Sequence, residues 1–259
     1  MAYSKPYIVV HYILYLINAV SWRSVQSPFN YKLAQTIAND KLEKEFKPIE
    51  KIRKSLLKNR NEIDVIDFGH DGTKSKKKIS EISSNSLKSK KYARLLYRLV
   101  KLINPTHILE LGTSFGMSTA YMSIANPKSK LVTIEGSETI AKIAQENFTS
   151  LHLENIHLVT GSFENTLSST LNYMPQLDFV FIDGHHQKDA TIKYFEMCLT
   201  KSHTKTLFIF DDINWSEEMQ EAWSILKQHP QSTLTIDIFM MGLVFVNPGL
   251  SKQNIELRY

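Results

Sequence analysis

The chain has 259 residues and a formal net charge of +5. That length holds one large domain of strands and helices plus an extension. Its one cysteine, Cys198, excludes an internal disulfide and fits a small buried residue on a helix.

Tyr7 to Val20 is apolar but only 14 residues long, with His11 and Asn18 inside it. A membrane span needs about 20 apolar residues. The segment reads as a buried or interfacial helix, and Trp22 and Arg23 after it leave a membrane-surface role open. Nothing resembles a secretion signal, so a cytoplasmic location is expected. Ser27-Pro28-Phe29 breaks this helix. Tyr31 to Arg60 is helical, with Pro48 dividing it in two. Asp67 to Thr73 is loop chemistry, and Lys- and Ser-rich residues follow. Residues 68–90 are therefore either a lid or a plain surface loop. Tyr92 to Ile103 is an amphipathic helix, with Leu95, Leu96, Leu99, Val100 and Ile103 on one side. Residues 1–105 carry 21 Lys and Arg against 9 Asp and Glu, and residues 106–259 carry 10 against 17. Such a split raises the question of nucleic acid or an anionic surface. Few aromatics interleave with the lysines, which favours a solvated basic face.

From residue 106 the pattern alternates. Thr106–Leu111, Lys130–Glu135, Ile156–Thr160, Leu177–Ile182 and Thr206–Phe210 read as strands. Phe115–Asn126, Ser137–Ser150, Phe163–Tyr173, Gln187–Lys201 and Ser216–Gln228 read as the helices that follow them. Alternation of this kind means a parallel sheet, with ligands beyond the carboxyl ends of its strands. Leu234–Phe239 and Leu243–Val246, joined by Met240-Met241-Gly242, predict a closing hairpin.

The first strand ends in Glu110-Leu111-Gly112-Thr113-Ser114-Phe115-Gly116-Met117-Ser118. Gly112 and Gly116 permit a tight turn, and Ser114 and Ser118 can serve the amides that open the next helix. A dinucleotide fingerprint needs a third glycine, and a phosphate-binding Walker loop needs a Gly-Lys pair; neither is present. The second strand ends in an acid, Glu135, 25 positions after Glu110. A carboxylate there can accept two ribose hydroxyls. Asp183-Gly184-His185-His186 follows the fourth strand, and Asp211-Asp212 follows the fifth. If those strands are neighbours, three carboxylates repel one another unless a cation such as Mg²⁺ joins them.

The Glu110–Ser118 run resembles the first motif of class I S-adenosylmethionine-dependent methyltransferases, in the form of the catechol O-methyltransferase group. Phe210 to Ser216 also looks like uncharacterised bacterial methyltransferase-like proteins. The resemblance implies an α/β fold with a doubly wound, seven-stranded, mostly parallel sheet whose last strand is antiparallel. It implies two parts, a helical extension with a lid at residues 1–91 and a cofactor-binding domain at residues 92–259. The cofactor contacts fall on Glu110, Gly112, Ser114, Gly116, Ser118, Glu135, Ser162 and Asp183. That group holds Mg²⁺ on an Asp after the fourth strand and an Asp-Asn pair after the fifth, which maps to Asp183, Asp211 and Asp212. Asp212 departs from the Asn of the pattern. The group's Lys base maps to His186, a chemically sensible replacement near neutral pH; adjoining His185 is a further ligand candidate. The implied reaction is O-methylation of a small hydroxylated molecule. The expected partners are that methyl acceptor and a second copy of the chain, with no nucleic acid and no membrane span. Two alternatives stand beside it: methylation of RNA or protein through the basic first third, and a cofactor-binding scaffold without transfer. The Asp183-Gly184-His185-His186 run differs from the Pro-Pro signature of RNA base methylases.

Overall fold

The computed structural model describes residues 5–40, 43–67 and 73–259. In chain order the elements are α1 (Lys5–Asn18), α2 (Pro28–Ala38), α3 (Phe46–Lys58), β1 (Glu62–Asp67), β2 (Thr73–Lys78), α4 (Ile79–Ser86), α5 (Lys90–Ile103), β3 (His107–Leu111), α6 (Met117–Ala125) and β4 (Lys130–Glu135). There follow α7 (Glu138–Ser150), β5 (Ile156–Thr160), α8 (Phe163–Tyr173), β6 (Phe179–Ile182), α9 (Lys188–Leu199), β7 (Leu207–Asp211), α10 (Glu217–Gln228), β8 (Leu234–Asp237), β9 (Met241–Phe245) and β10 (Gln253–Glu256). The architecture is the doubly wound α/β type, with mostly parallel strands and a helix after each crossover. The chain divides into two compact units, one of residues 40–173 and one of residues 1–39 with 174–259.

In the unit of residues 40–173, β3, β4 and β5 run parallel in that order. Strand β3 is buried along its whole length, as a central parallel strand must be. Helices α3 and α5 pack on α6. The hairpin of β1 and β2 sets Glu62 opposite Lys78 and Asp64 opposite Lys76, so opposite charges face across the ladder.

In the other unit the order is β10, β8, β9, β7, β6. Strand β9 is antiparallel to both β7 and β8, and β10 lies parallel to β8 at the edge. Phe195 of α9 meets Phe208 and Phe210 of β7 edge-on. Cys198 is fully buried, and loss of water around its thiol pushes it up to about 12.

Four sequence expectations are corrected. The crossover strands and closing strands number eight, not seven, because β10 joins them beside β8. The first third is not wholly helical, since it carries the β1–β2 hairpin. Residues 73–86 are a strand and a helix, not loop; the predicted loop at residues 68–72 lies outside the described residues. The break within Tyr31–Arg60 falls between Ala38 and Phe46, while Pro48 sits inside the first turn of α3. Proline is tolerated there because the first-turn amides have no intrahelical partner to lose.

One buried acid fixes the geometry of the first crossover. Glu110 has no exposed surface. Ser118 Oγ donates to its Oε1 at 2.6 Å, and Thr119 Oγ1 and Thr133 Oγ1 donate to its Oε2 at 2.5 and 2.7 Å. The carboxylate thus joins β3 to the start of α6 and to β4, where Thr133 stands opposite it in register. A buried charge is tolerable only when its lone pairs are filled this way. Glu110→Ala strands three hydroxyls and opens a cavity, and each unpaired buried group costs about 1–3 kcal/mol. The expected loss of unfolding free energy is therefore several kcal/mol, read as a lower urea midpoint at unchanged slope.

Candidate active site

The turn after β3 is built from left-handed backbone. Gly112 and Gly116 have φ of 103° and 81°, and Ser114 between them has φ of 47°. Gly116 has a second reason to be glycine: a Cβ there would lie 2.3 Å from the Phe148 ring. Gly112 and Thr113 N–H groups donate to the Ile134 carbonyl at 3.0 and 3.2 Å, which ties the turn to β4. The strained Ser114 pays its conformational cost, about 1–2 kcal/mol for a left-handed residue with a side chain, to aim its own N–H at Glu135.

Glu135 ends β4 and is partly buried. Ser114 N–H donates to Oε2 at 2.8 Å and Ser137 N–H to Oε1 at 2.9 Å. Each oxygen keeps a lone pair for an incoming hydroxyl. Loss of surrounding water raises the Glu135 carboxyl above its usual range, while the Ser137, Ser114 and Gly136 amides pull it back down. Beside it, the Gly161 N–H donates to the Glu135 carbonyl at 2.9 Å, and the Ser162 carbonyl accepts from the first turn of α8. Glu135 is thus a carboxylate held by backbone N–H groups beside a turn of left-handed backbone.

The structure separates the predicted cofactor residues of this unit into two groups. Gly112, Ser114, Gly116, Glu135 and Ser162 stand on the turns after β3, β4 and β5. Glu110 and Ser118 instead bond each other in the interior, so their part is to hold the turn in place. Two partners were not legible in the sequence. Ser137 reaches Glu135 through its backbone, which no side-chain pattern signals. Ser86, at the end of α4, lies 2.8 Å from Ser114 Oγ, so the segment after the hairpin touches the turn directly.

In the other unit, Asp183, His185 and His186 follow β6, and Asp211 and Asp212 stand at the end of β7. His186 is the meeting point. Its Nε2 lies 3.8 Å from Asp183 Oδ1 and 3.8 Å from Asp212 Oδ2, and all three side chains are partly exposed. These separations exceed a hydrogen bond but place an imidazolium formed there between two carboxylates. His185 turns to the Tyr194 hydroxyl, 2.9 Å from its Nδ1. Both His185 and Asp212 are left-handed, with φ of 61° and 53°. Non-glycine residues of this kind collect at functional turns. The loop after Asp212 is anchored by Asn214 Nδ2, which donates to the Phe239 carbonyl at 2.6 Å.

The metal expectation does not fit this arrangement. Asp211 is buried at the end of β7, whereas Asp212 lies past the strand with left-handed backbone at φ of 53°. Among the described residues, no group of three or more His, Cys, Asp or Glu side chains gathers as ligands of one ion. No step of the chemistry is therefore derived through Mg²⁺.

Comparison with known proteins agrees with the geometry. Residues 109–213 match a family described as a methyltransferase domain. A catechol O-methyltransferase of Niastella koreensis is 31% identical over 129 residues, covering 46% of this chain and 55% of that protein. The chain thus spans about half the length of that curated relative. Among solved structures, an O-methyltransferase from Bacillus cereus in complex with SAH matches with a TM-score of 0.57 at 19% identity, over 82% of this chain and 94% of that one. TomG, an O-methyltransferase of Streptomyces achromogenes in complex with SAM, matches with a TM-score of 0.55 at 21% identity, over 62% and 82%. At those identities the structures speak for the fold. Residues 109–213 are thus similar to a methyltransferase domain, and over 129 residues the chain is similar to a catechol O-methyltransferase.

Proposed function

We propose that this protein binds S-adenosylmethionine at the turns after β3, β4 and β5 and methylates a hydroxyl of a small molecule. The observation that carries the reading is Glu135, buffered by two backbone amides and open toward the glycine turn. When bound, the cofactor supplies a methyl group already activated on a sulfonium. Glu135 accepts the ribose hydroxyls. Gly112, Ser114 and Gly116 line the polar end, where the start of α6 favours a carboxylate. His186 takes the acceptor's hydroxyl proton, and Asp183 and Asp212 stabilise the charge it gains. The hydroxyl acceptor is supported by the Niastella koreensis relative, whose name specifies a catechol.

The basic first third supports this reading over an RNA substrate. Arg94 and Arg98 both bond Asp40, at 2.5 and 2.7 Å, and Arg53 and Lys90 both bond Glu50, at 2.8 and 3.0 Å. Four of the ten cations on α3 and α5 are thus in ion pairs with Asp40 and Glu50.

Two measurements test the assignment. Glu135→Ala is expected to weaken S-adenosylhomocysteine binding by about ten- to a hundredfold in calorimetry, the equivalent of one charge-assisted contact; unchanged affinity rejects the site. The pH dependence carries a sign. The ribose needs the charged carboxylate, so affinity is constant above the Glu135 pKa and falls as pH drops through it. Because burial raises that pKa from 4.5, the fall begins at a higher pH than for a solvent-exposed glutamate. Glu135→Gln removes this dependence.

The proton step is tested separately. His186→Ala is expected to lower kcat on a hydroxyl acceptor by roughly 10²- to 10⁴-fold, the usual contribution of a general base. Its affinity for S-adenosylhomocysteine should match the parent's, because none of the cofactor contacts involves His186. Full turnover by this variant removes the base from the mechanism.

A further inference from the structure

Helix α1 is apolar on both sides, and its inward side combines an apolar cluster with a few polar contacts. Tyr15 donates its hydroxyl to the Leu257 carbonyl, and His11 Nδ1 lies 3.1 Å from Gln220 Nε2. Tyr15 and Ala19 pack on Phe239, with Ile8 and Leu16 at the margin. Its outward side is Val9, Val10, Ile13, Leu14 and Ile17, each more than half exposed and Ile17 at 72%. Their spacing puts all five on one face. A contiguous aliphatic strip of this kind marks a binding surface.

The charge around the strip identifies what it binds. Residues 1–39 contain no Asp or Glu, but do contain Lys5, Arg23 and Lys32. Just past α1, the Arg23 guanidinium lies 4.7 Å from the centroid of the Trp22 ring, which packs on Tyr31. Arg258 donates to the Leu16 carbonyl at 3.0 Å and brings another guanidinium to the same helix. The acids of this region, Asp237 and Glu256, line a cavity with Lys227 and with His11, Leu14 and Asn18 of α1, where Leu14 stands at the edge of the strip. Aliphatic side chains outward, cations and a Trp-Tyr pair beside them, and acids withheld to the inner side form the pattern of a helix lying in a lipid headgroup layer.

We propose that α1 is an interfacial anchor for an anionic lipid surface, with Val9, Ile13 and Ile17 in the outer acyl region and Arg23 and Trp22 at headgroup depth. At 14 residues it lies on the layer, and among the described residues no helix is long and apolar enough to cross one. A second copy of the chain fits less well. One side of a helix about 21 Å long offers on the order of 400 Å², against about 800 Å² per partner in a stable interface. The inference is independent of methyl transfer.

Flotation of the full chain with phosphatidylcholine vesicles, with and without phosphatidylserine, tests it. The protein is expected to float with the anionic vesicles, less so with neutral ones, and less as salt rises. Ile13→Glu with Ile17→Glu should lower the bound fraction at least about tenfold, since two charges enter the apolar layer. Both positions are exposed, and an unchanged thermal melt confirms that the variant folds. Arg23→Glu should weaken binding to the anionic vesicles only. A protein that floats with neither vesicle overturns the proposal, as does a double variant that floats like the parent. A dimer seen by light scattering that the double variant splits, with no flotation, assigns the face to a second copy instead and likewise overturns it.

Discussion

The carboxylate of Glu110 is the constraint on which the turn after β3 depends. It sits one residue before the end of β3 and accepts from hydroxyls of α6 and β4. That triangle leaves the connecting residues little freedom. The chain must leave β3, turn through left-handed backbone at Gly112, Ser114 and Gly116, and re-enter a helix at Met117. Because the side chains of a strand alternate, Thr133 and Glu135 share one face of β4. Holding Thr133 to Glu110 therefore sets where Glu135 stands. A buried acid with no ligand of its own thus positions a second acid that is open to one.

The two acids illustrate how environment separates roles among identical groups. Glu110 is fully buried and takes three hydroxyl donors. Glu135 is held by backbone amides of Ser114, Gly136 and Ser137, and desolvation raises its carboxyl pKa against their pull. In the other unit the strain is in the backbone. His185 and Asp212 are both left-handed, and the Asn214 bond to Phe239 and the Ile213 bond to Met240 hold the loop against β8 and β9. Such residues persist only where the surroundings over-determine them.

The parallel core and its tips were legible because each strand is a short apolar run ending in a polar residue, and each following helix is amphipathic. The elements that escaped the sequence lack that signature. Strand β2 is Thr73-Lys74-Ser75-Lys76-Lys77-Lys78, which holds no apolar alternation; it forms because its lysines meet Glu62 and Asp64 across the ladder. Strand β10 is short and mostly polar; β8 pairs with it, and the Val20 N–H donates to its Glu256 carbonyl at 2.8 Å. The aspartate cluster failed for a different reason. Position along the chain says that Asp211 and Asp212 are adjacent, but Asp211 is buried at the end of β7 and the left-handed backbone at Asp212 turns the chain away from the strand. His186 Nε2 stands 3.8 Å from both Asp183 Oδ1 and Asp212 Oδ2, a juxtaposition that the order of residues along the chain does not show.

The outward aliphatic face of α1 follows from how its end is held. Val20 forms a parallel bridge with Leu257, Tyr15 bonds the Leu257 carbonyl, and Arg258 bonds the Leu16 carbonyl. These contacts to Leu257 and Arg258 act together with the packing of Tyr15 and Ala19 on Phe239. Turning the helix to bury its aliphatic side breaks both, and the Tyr15 hydrogen bond is a buried one, costly to leave unmade. The aliphatic face is thereby locked outward before any partner arrives. An anchor that is already helical and already oriented avoids the ordering cost of a segment that must fold on contact. The edge strand β10, which the sequence conceals, is what makes that orientation permanent.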